Sequence, residues 1–289
     1  MEHVELDVNG FTFRAVVCGP PGGRAVLFLH GFPQTSFSWH AQLEAVGAAG
    51  YRALAFDQRG YSPGARPQGV ADYRIAELVG DVLGVADHNG MDRFDLVGHD
   101  WGAMVAWMVA RHHPSRVRTL TAVSVPHPAA LAAAYAGGDG GDQRQRSSYI
   151  TVFRAEGGVA EKALLGPDGT GDGLRAMFAA SGLDPGREDA SRFVQAMVEP
   201  GALTAALNWY RATDPQEMAG VGAVTVPTLY VWSTEDIALG RAAAEATARW
   251  VEAPYRFEIL QGVSHWVPET APDDLSRLLL EHLGTEYGT

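Results

Sequence analysis

The run Phe94-Asp95-Leu96-Val97-Gly98-His99-Asp100-Trp101-Gly102 sets one aspartate two residues from a glycine on either side. Phe94 to Val97 is short and largely apolar, which reads as a buried strand. From Gly102 the apolar residues take helical spacing through Met108 and Val109. A strand that turns sharply into a helix around one polar residue is the nucleophile-elbow geometry. Glycines suit such a turn because it packs too closely on its neighbours for side chains. The residue at the apex is Asp100 rather than a serine. A serine hydroxyl needs a base before it can attack. A carboxylate is already ionised at neutral pH, so it can attack an electrophilic carbon and form an ester. A histidine elsewhere is then free to activate water against that ester. Alone, the motif is equally compatible with a Gly-rich turn before an ordinary helix.

The partners of such an apex follow in the chain order acid, then histidine. Asp236 stands in Ser233-Thr234-Glu235-Asp236, just past one expected strand, and His265 stands in Gly262-Val263-Ser264-His265-Trp266, past the next. Glu235 is the competing acid. An acid after the strand before these is a further option, but Ala122 to Val125 offers only Ser124. Phe32 follows His30-Gly31 at another strand end. Its backbone N–H, with that of Trp101, would form an oxyanion hole. Gly31 permits the turn, and Pro33 is a candidate for a cis peptide. Phe32, Pro33 and Trp101 are expected to line the substrate pocket.

These residues need a scaffold that brings strand ends together. Val4 to Val8 and Phe11 to Val17 alternate around Asn9-Gly10, a strong hairpin signal. Ala25 to Leu29, Tyr51 to Phe56, Phe94 to Val97 and Val117 to Val125 read as strands separated by helical stretches, Ser36 to Ala48 and one capped by Asp72 running to about Asn89. Alternating strands and helices imply an α/β fold with a mostly parallel sheet and helices on both faces. Ligands of such sheets sit at the carboxyl ends of the strands. After Pro126-His127-Pro128 the rhythm breaks. Ala129 to Ala136, Asp189 to Val198 and Ala202 to Ala212 are helical, and Gly137 to Gly141 and Pro167 to Gly173 are loops. The pattern resumes at Thr228 to Trp232, Arg241 to Trp250, Arg256 to Leu260 and Asp273 to Leu283. The expected organisation is a core of residues 1–127 and 223–289 with an inserted α-helical cap of residues 128–222.

A chain of 289 residues with a hydrophobic fraction of 46% fits one α/β domain with an inserted subdomain. The formal net charge of -12 argues against nucleic acid or an anionic membrane as partner. Cys18 is the only cysteine, so no internal disulfide is possible and a reducing compartment is compatible. No signal-peptide pattern and no apolar run of ~18 residues is present, so a cytoplasmic location is expected. Lys162 is the only lysine among many arginines, which points to a GC-rich bacterial genome.

The motifs His30-Gly31-Phe32-Pro33, Asp57-Gln58-Arg59-Gly60-Tyr61-Ser62, Gly98-His99-Asp100-Trp101-Gly102 and Gly262-Val263-Ser264-His265-Trp266 resemble those of the α/β-hydrolase-fold epoxide hydrolases, over essentially the whole chain. That family places two cap tyrosines over the oxirane oxygen. Asn208-Trp209-Tyr210-Arg211 matches one of their contexts. The other is a tyrosine four residues before a phenylalanine, leading to Gly-Val-Ala-Glu. Tyr149, Phe153 and Gly158-Val159-Ala160-Glu161 resemble it, with one extra residue and Val152 where an aromatic is common. Tyr135 is the fallback. The resemblance implies hydrolysis of an epoxide to a vicinal diol by Asp100, Asp236, His265, Tyr149 and Tyr210. It implies no cofactor and no metal, a small-molecule epoxide as the only partner, and a monomer or homodimer. A haloalkane or haloacid dehalogenase using the same aspartate is the runner-up. Phe32 stands where haloalkane dehalogenases typically carry Asn, and Trp101 where fluoroacetate-type enzymes typically carry Arg. A small-molecule receptor on the same fold is the non-enzyme alternative.

Overall fold

The computed structural model describes residues 1–138 and 141–287. Asp139 and Gly140, inside the expected Gly137–Gly141 loop, lie outside the described residues. Strands β1 (Glu2–Val8) and β2 (Phe11–Cys18) form the hairpin, with Asn9 and Gly10 both at positive φ, the requirement of its two-residue turn. Strands β3 (Ala25–Leu29), β4 (Arg52–Phe56), β5 (Phe94–His99), β6 (Val117–Val123), β7 (Thr228–Glu235) and β8 (Tyr255–Ser264) follow. They build one eight-stranded sheet in the order β1-β2-β4-β3-β5-β6-β7-β8. Pairing is antiparallel for β1–β2 and β2–β4 and parallel from β4 onward.

The apolar runs follow from burial on both faces. In β3, Val26 and Phe28 join the core on one face, with Leu43 and Val46 of the helix His40–Ala48 and Leu275 and Leu279 of the helix Pro272–Gly284. Leu27 and Leu29 point the other way, into the core shared with Val79 and Val82 of the helix Ile75–His88 and with Trp107. The period of two along a strand makes that division.

Between β6 and β7 the described residues form helices and no named strand. Helices at Val159–Leu165, Asp172–Ala180 and Pro215–Ala219 add to those read from the sequence. The Ala129–Ala136 stretch is an α-helix, Pro128–Ala133, that passes into a π-helical turn. One start signal is corrected. Asp72 does not cap the helix before Asn89, because Arg74 is extended (φ -60, ψ 150) and the helix begins at Ile75. Asp72 instead accepts from the Gly69 amide at 3.1 Å in its own short turn, Val70–Tyr73.

At the elbow Asp100 has φ 51 and ψ -123, and the helix Trp101–His112 begins at the next residue. A Cβ on Gly102 would overlap the Leu29 carbonyl oxygen. The approach of the helix to β3 therefore depends on a missing side chain. Gly102→Ala should lower unfolding free energy by about 2 kcal/mol or more through overpacking. Gly80, within the helix Ile75–His88, has nothing near the position of its absent Cβ. Gly80→Ala should raise stability by about 0.5–1 kcal/mol. Urea unfolding of both variants checks the contrast, and equal effects would contradict it.

Candidate active site

β3 and β5 are parallel neighbours with Leu29 opposite Gly98, so the turn after β3 lies beside the elbow. The Phe32 amide donates to Asp100 Oδ1 at 2.8 Å. Gly31 is the point of closest approach, since a Cβ there would overlap the Asp100 side chain. The Phe32–Pro33 peptide is cis. The Trp101 amide is the first of its helix, one of the four that no intrahelical carbonyl accepts. His30 fixes the turn from below: its Nδ1 lies 2.9 Å from the Gly31 carbonyl, and its Nε2 accepts from the Gln58 amide at 3.1 Å. The His-Gly-Phe-Pro and Asp-Gln-Arg-Gly motifs are thus joined through that imidazole.

His265 follows β8, and its Nδ1 lies 2.8 Å from Asp236 Oδ2 while its Nε2 lies 3.4 Å from Asp100 Oδ2. A carboxylate only accepts, so Nδ1 donates to Asp236. The 3.4 Å approach to Asp100 is a contact of charges, longer than a good hydrogen bond. Asp236 Oδ1 accepts the Ala238 and Leu239 amides at 2.8 and 2.9 Å, which locks the acid in place. Its rival Glu235 ends β7 with an exposed side chain. Ser124 does not act as an acid; its hydroxyl donates to the His265 carbonyl at 3.1 Å.

Burial alone would raise the Asp100 pKa, but the close approach and charge of His265, with the Phe32 amide, outweigh it and lower it. Burial would likewise lower His265, yet Asp236 and Asp100 overcome that and raise it to about 10. The resting site therefore holds an imidazolium between two carboxylates.

Tyr149 opens the helix Tyr149–Phe153, and Tyr210 lies in the helix Ala202–Ala212. Their ring centroids are 6.4 Å apart, and the Tyr210 ring meets Trp101 and Phe32 edge-on at 5.0 and 5.5 Å. Burial raises both phenol pKa values, so both stay protonated donors. The residues flanking them hold them. Arg211 pairs with Glu161 at 2.9 Å, which ties the two tyrosine contexts together. Trp209 Nε1 donates to the Arg59 carbonyl at 2.8 Å, which ties Tyr210 to the core.

Two largely apolar cavities, of about 350 and 250 Å³, meet here. Asp100, Tyr149, Tyr210 and Ala238 line both; Trp101 lines the larger, and Phe32 and His265 the smaller. Tyr135 lines only the larger and is 45% exposed. The expectation for Pro33 is corrected: it is buried and lines neither cavity. The turn closes by Gln34 N–H to Gly31 carbonyl, and of its residues only Phe32 faces a cavity. Sequence reasoning passed over Gln34, His99 and Glu269, which lie buried behind the histidine. His99 was inside a recognised motif, but nothing in the sequence marks Glu269 as buried.

An aspartate elbow with a histidine, a second acid and a backbone donor at the strand ends defines a hydrolase-type site on an α/β scaffold. Residues 24–272 match the family described as alpha/beta hydrolase fold. The chain is 34% identical over 290 residues to AB hydrolase superfamily protein YfhM of Bacillus subtilis, covering 96% of each. It is 33% identical over 321 residues to Epoxide hydrolase A of Mycobacterium tuberculosis, again covering 96% of each. The crystal structure of Epoxide Hydrolase A from Mycobacterium thermoresistibile superimposes with a TM-score of 0.83 at 29% identity, covering 99% of each chain. The chain belongs to the α/β-hydrolase-fold epoxide hydrolase family.

The imidazolium carries a stability signature. The folded pKa of His265, about 10, lies above its ordinary 6.5. Its stabilising contribution is therefore complete below about 6.5 and lost as pH rises through about 10. The Tm of the parent should fall more steeply between these limits than that of His265→Gln. Parallel Tm curves would mean that the site holds no extra proton.

Proposed function

We propose that this protein is an epoxide hydrolase that converts an epoxide into a vicinal diol through an ester on Asp100. The observation that carries the proposal is the setting of that carboxylate. Oδ1 is engaged by the Phe32 amide, Oδ2 faces His265, and two protonated tyrosines line the same cavities. Oδ2 attacks an oxirane carbon from the side opposite the departing oxygen, and the C–O bond of the ring breaks. Tyr149 and Tyr210 donate to the departing oxygen, which becomes a hydroxyl. The tyrosines also favour this reading over a dehalogenase, which needs donors to a halide rather than to a developing alkoxide.

Oδ1 becomes the ester carbonyl oxygen already against the Phe32 amide, and the Trp101 amide is the second donor of the oxyanion hole. Esterification removes the negative charge that faced His265 at 3.4 Å, so the imidazolium pKa falls. The proton His265 releases restores, by way of solvent, the phenol proton that the new hydroxyl took. Neutral His265, oriented by Asp236, then draws a proton from water, which attacks the ester carbonyl carbon. Collapse of the tetrahedral intermediate releases the diol and restores the carboxylate. Residues 128–222 serve as the cap that carries the tyrosines, over a core of residues 1–127 and 223–289. Among the described residues no helix is long and apolar enough to cross a membrane. Action in the cytoplasm on a small molecule is consistent with that.

The origin of the diol oxygen tests the scheme. A single turnover with excess enzyme in ¹⁸O-water should give unlabelled diol and a labelled peptide containing Asp100. Labelled diol in that first turnover would instead mean direct attack by water. His265→Gln should accumulate an adduct of one substrate mass on the intact protein, since ester formation needs no base. The double variant Tyr149→Phe, Tyr210→Phe should open the ring ~10²-fold or more slowly. Parental rates in the double variant would reduce the tyrosines to packing.

A further inference from the structure

One buried carboxyl has no part in that mechanism. Glu269 lies in the short helix Val267–Thr270, four residues past His265, and is 5% exposed. Its Oε1 accepts from Gln34 Nε2 and Ser38 Oγ, both at 2.6 Å. Its Oε2 is buried without a hydrogen-bond partner among the described residues. The charged groups near it are Asp189 and Arg187. Arg187 pairs with Asp189 at 2.8 Å and donates to the Glu269 backbone carbonyl at 3.1 Å, so it gives the carboxyl no counter-charge there.

Gln34 is buried and links this carboxyl to the site. Its Oε1 accepts the Gly31 amide at 3.2 Å and lies 2.9 Å from His99 Nδ1. His99 Nε2 lies 2.9 Å from the His265 carbonyl oxygen. His99 thus faces an oxygen at each nitrogen. Burial lowers its pKa to about 4, so it is neutral and has one N–H for two acceptors. The direction of the Gln34 amide resolves the conflict. With Oε1 toward His99, Gln34 and the His265 carbonyl compete for a single proton. With the amide turned, its NH₂ donates to Nδ1 at the cost of the Gly31 hydrogen bond, and the Nε2–H belongs wholly to the His265 carbonyl. An ionised Glu269 accepts from the Gln34 NH₂ and holds the first direction. A protonated Glu269 can donate to the Gln34 oxygen and allows the second.

We propose that Glu269 is a positioning residue for His265: its carboxyl sets the direction of the Gln34 amide, and so the nitrogen of His99 that carries the proton holding the His265 loop. This rests on His265 being the base of the proposed reaction. Burial raises the Glu269 carboxyl to about 7, so both states lie within reach near neutrality.

Two measurements on the full chain test it. In ¹⁵N-histidine NMR, the His99 ring should change tautomer with pH in the parent, toward the Nε2–H form as Glu269 takes up a proton. In Glu269→Gln, whose side-chain NH₂ can donate like a protonated acid, His99 should stay in the Nε2–H form from pH 5.5 to 8.5. A His99 spectrum that Glu269→Gln leaves unchanged at every pH overturns the proposal. In rapid-quench kinetics, Glu269→Met should slow ester hydrolysis about 10-fold through a displaced histidine, with ester formation within about twofold. kcat and KM then fall together, a split that general loosening would not give. Parental ester hydrolysis in a folded Glu269→Met also overturns it. If that variant does not fold, the NMR comparison decides alone. A parent that turns over no epoxide would sink the proposed function but leave the NMR result readable.

Discussion

A carboxylate taken out of water must be given donors, or it protonates and ceases to be a nucleophile. Asp100 is 9% exposed, and most of the site follows from keeping it charged. One donor is the Phe32 amide, 68 residues away in the chain and available only because β3 and β5 are parallel neighbours. The other partner is the charge of the His265 imidazolium, which follows the edge strand β8 and lies 3.4 Å from Oδ2. The first requires close approach of the elbow to β3 and the turn after it, and the glycines at 31, 98 and 102 occupy the places where a side chain would block it. The positive φ of Asp100 is the cost of aiming the carboxylate at both partners at once.

The helical insertion is coupled to this arrangement through polar contacts rather than apolar packing alone. Arg146 donates to the Asp236 carbonyl at 2.7 Å, and Gln143 bridges the Ala238 carbonyl and the Gly240 amide, each at 2.8 Å. These bonds run from the insertion to the loop that carries the acid. Trp209 makes the corresponding link on the other side, to Arg59. The tyrosines are therefore set relative to Asp100 by hydrogen bonds with definite directions. The cavities between them are largely apolar, and low local polarity strengthens each interaction among the few charged groups at their junction.

Much of this was legible in the sequence, for local reasons. Asn9-Gly10 dictates a tight turn whatever surrounds it, and strands buried on both faces must be apolar throughout. The helix Ala202–Ala212 has the bounds its periodicity predicts, because an amphipathic face is written in the residues themselves. The elbow was visible because the glycine spacing records a local steric demand. The helices Val159–Leu165, Asp172–Ala180 and Pro215–Ala219 went unread, being short and stabilised mainly by what they pack against.

What the tertiary structure alone decided concerns direction. The sequence by itself determined that Asp100, a later acid and His265 would gather at strand ends. It favoured Asp236 with Glu235 as the competing acid, and the end of β7 shows that Asp236 is the buried one of the two, since neighbours at a strand end point opposite ways. It placed Pro33 at the pocket, whereas the turn exposes Phe32 alone to a cavity. It gave no sign that Gln34 and Glu269, 235 residues apart, share a hydrogen bond behind the histidine. Spacing along a chain encodes local conformation. Which polar atom meets which is fixed by the packing of distant elements, because a buried hydrogen bond depends on distance and angle in three dimensions.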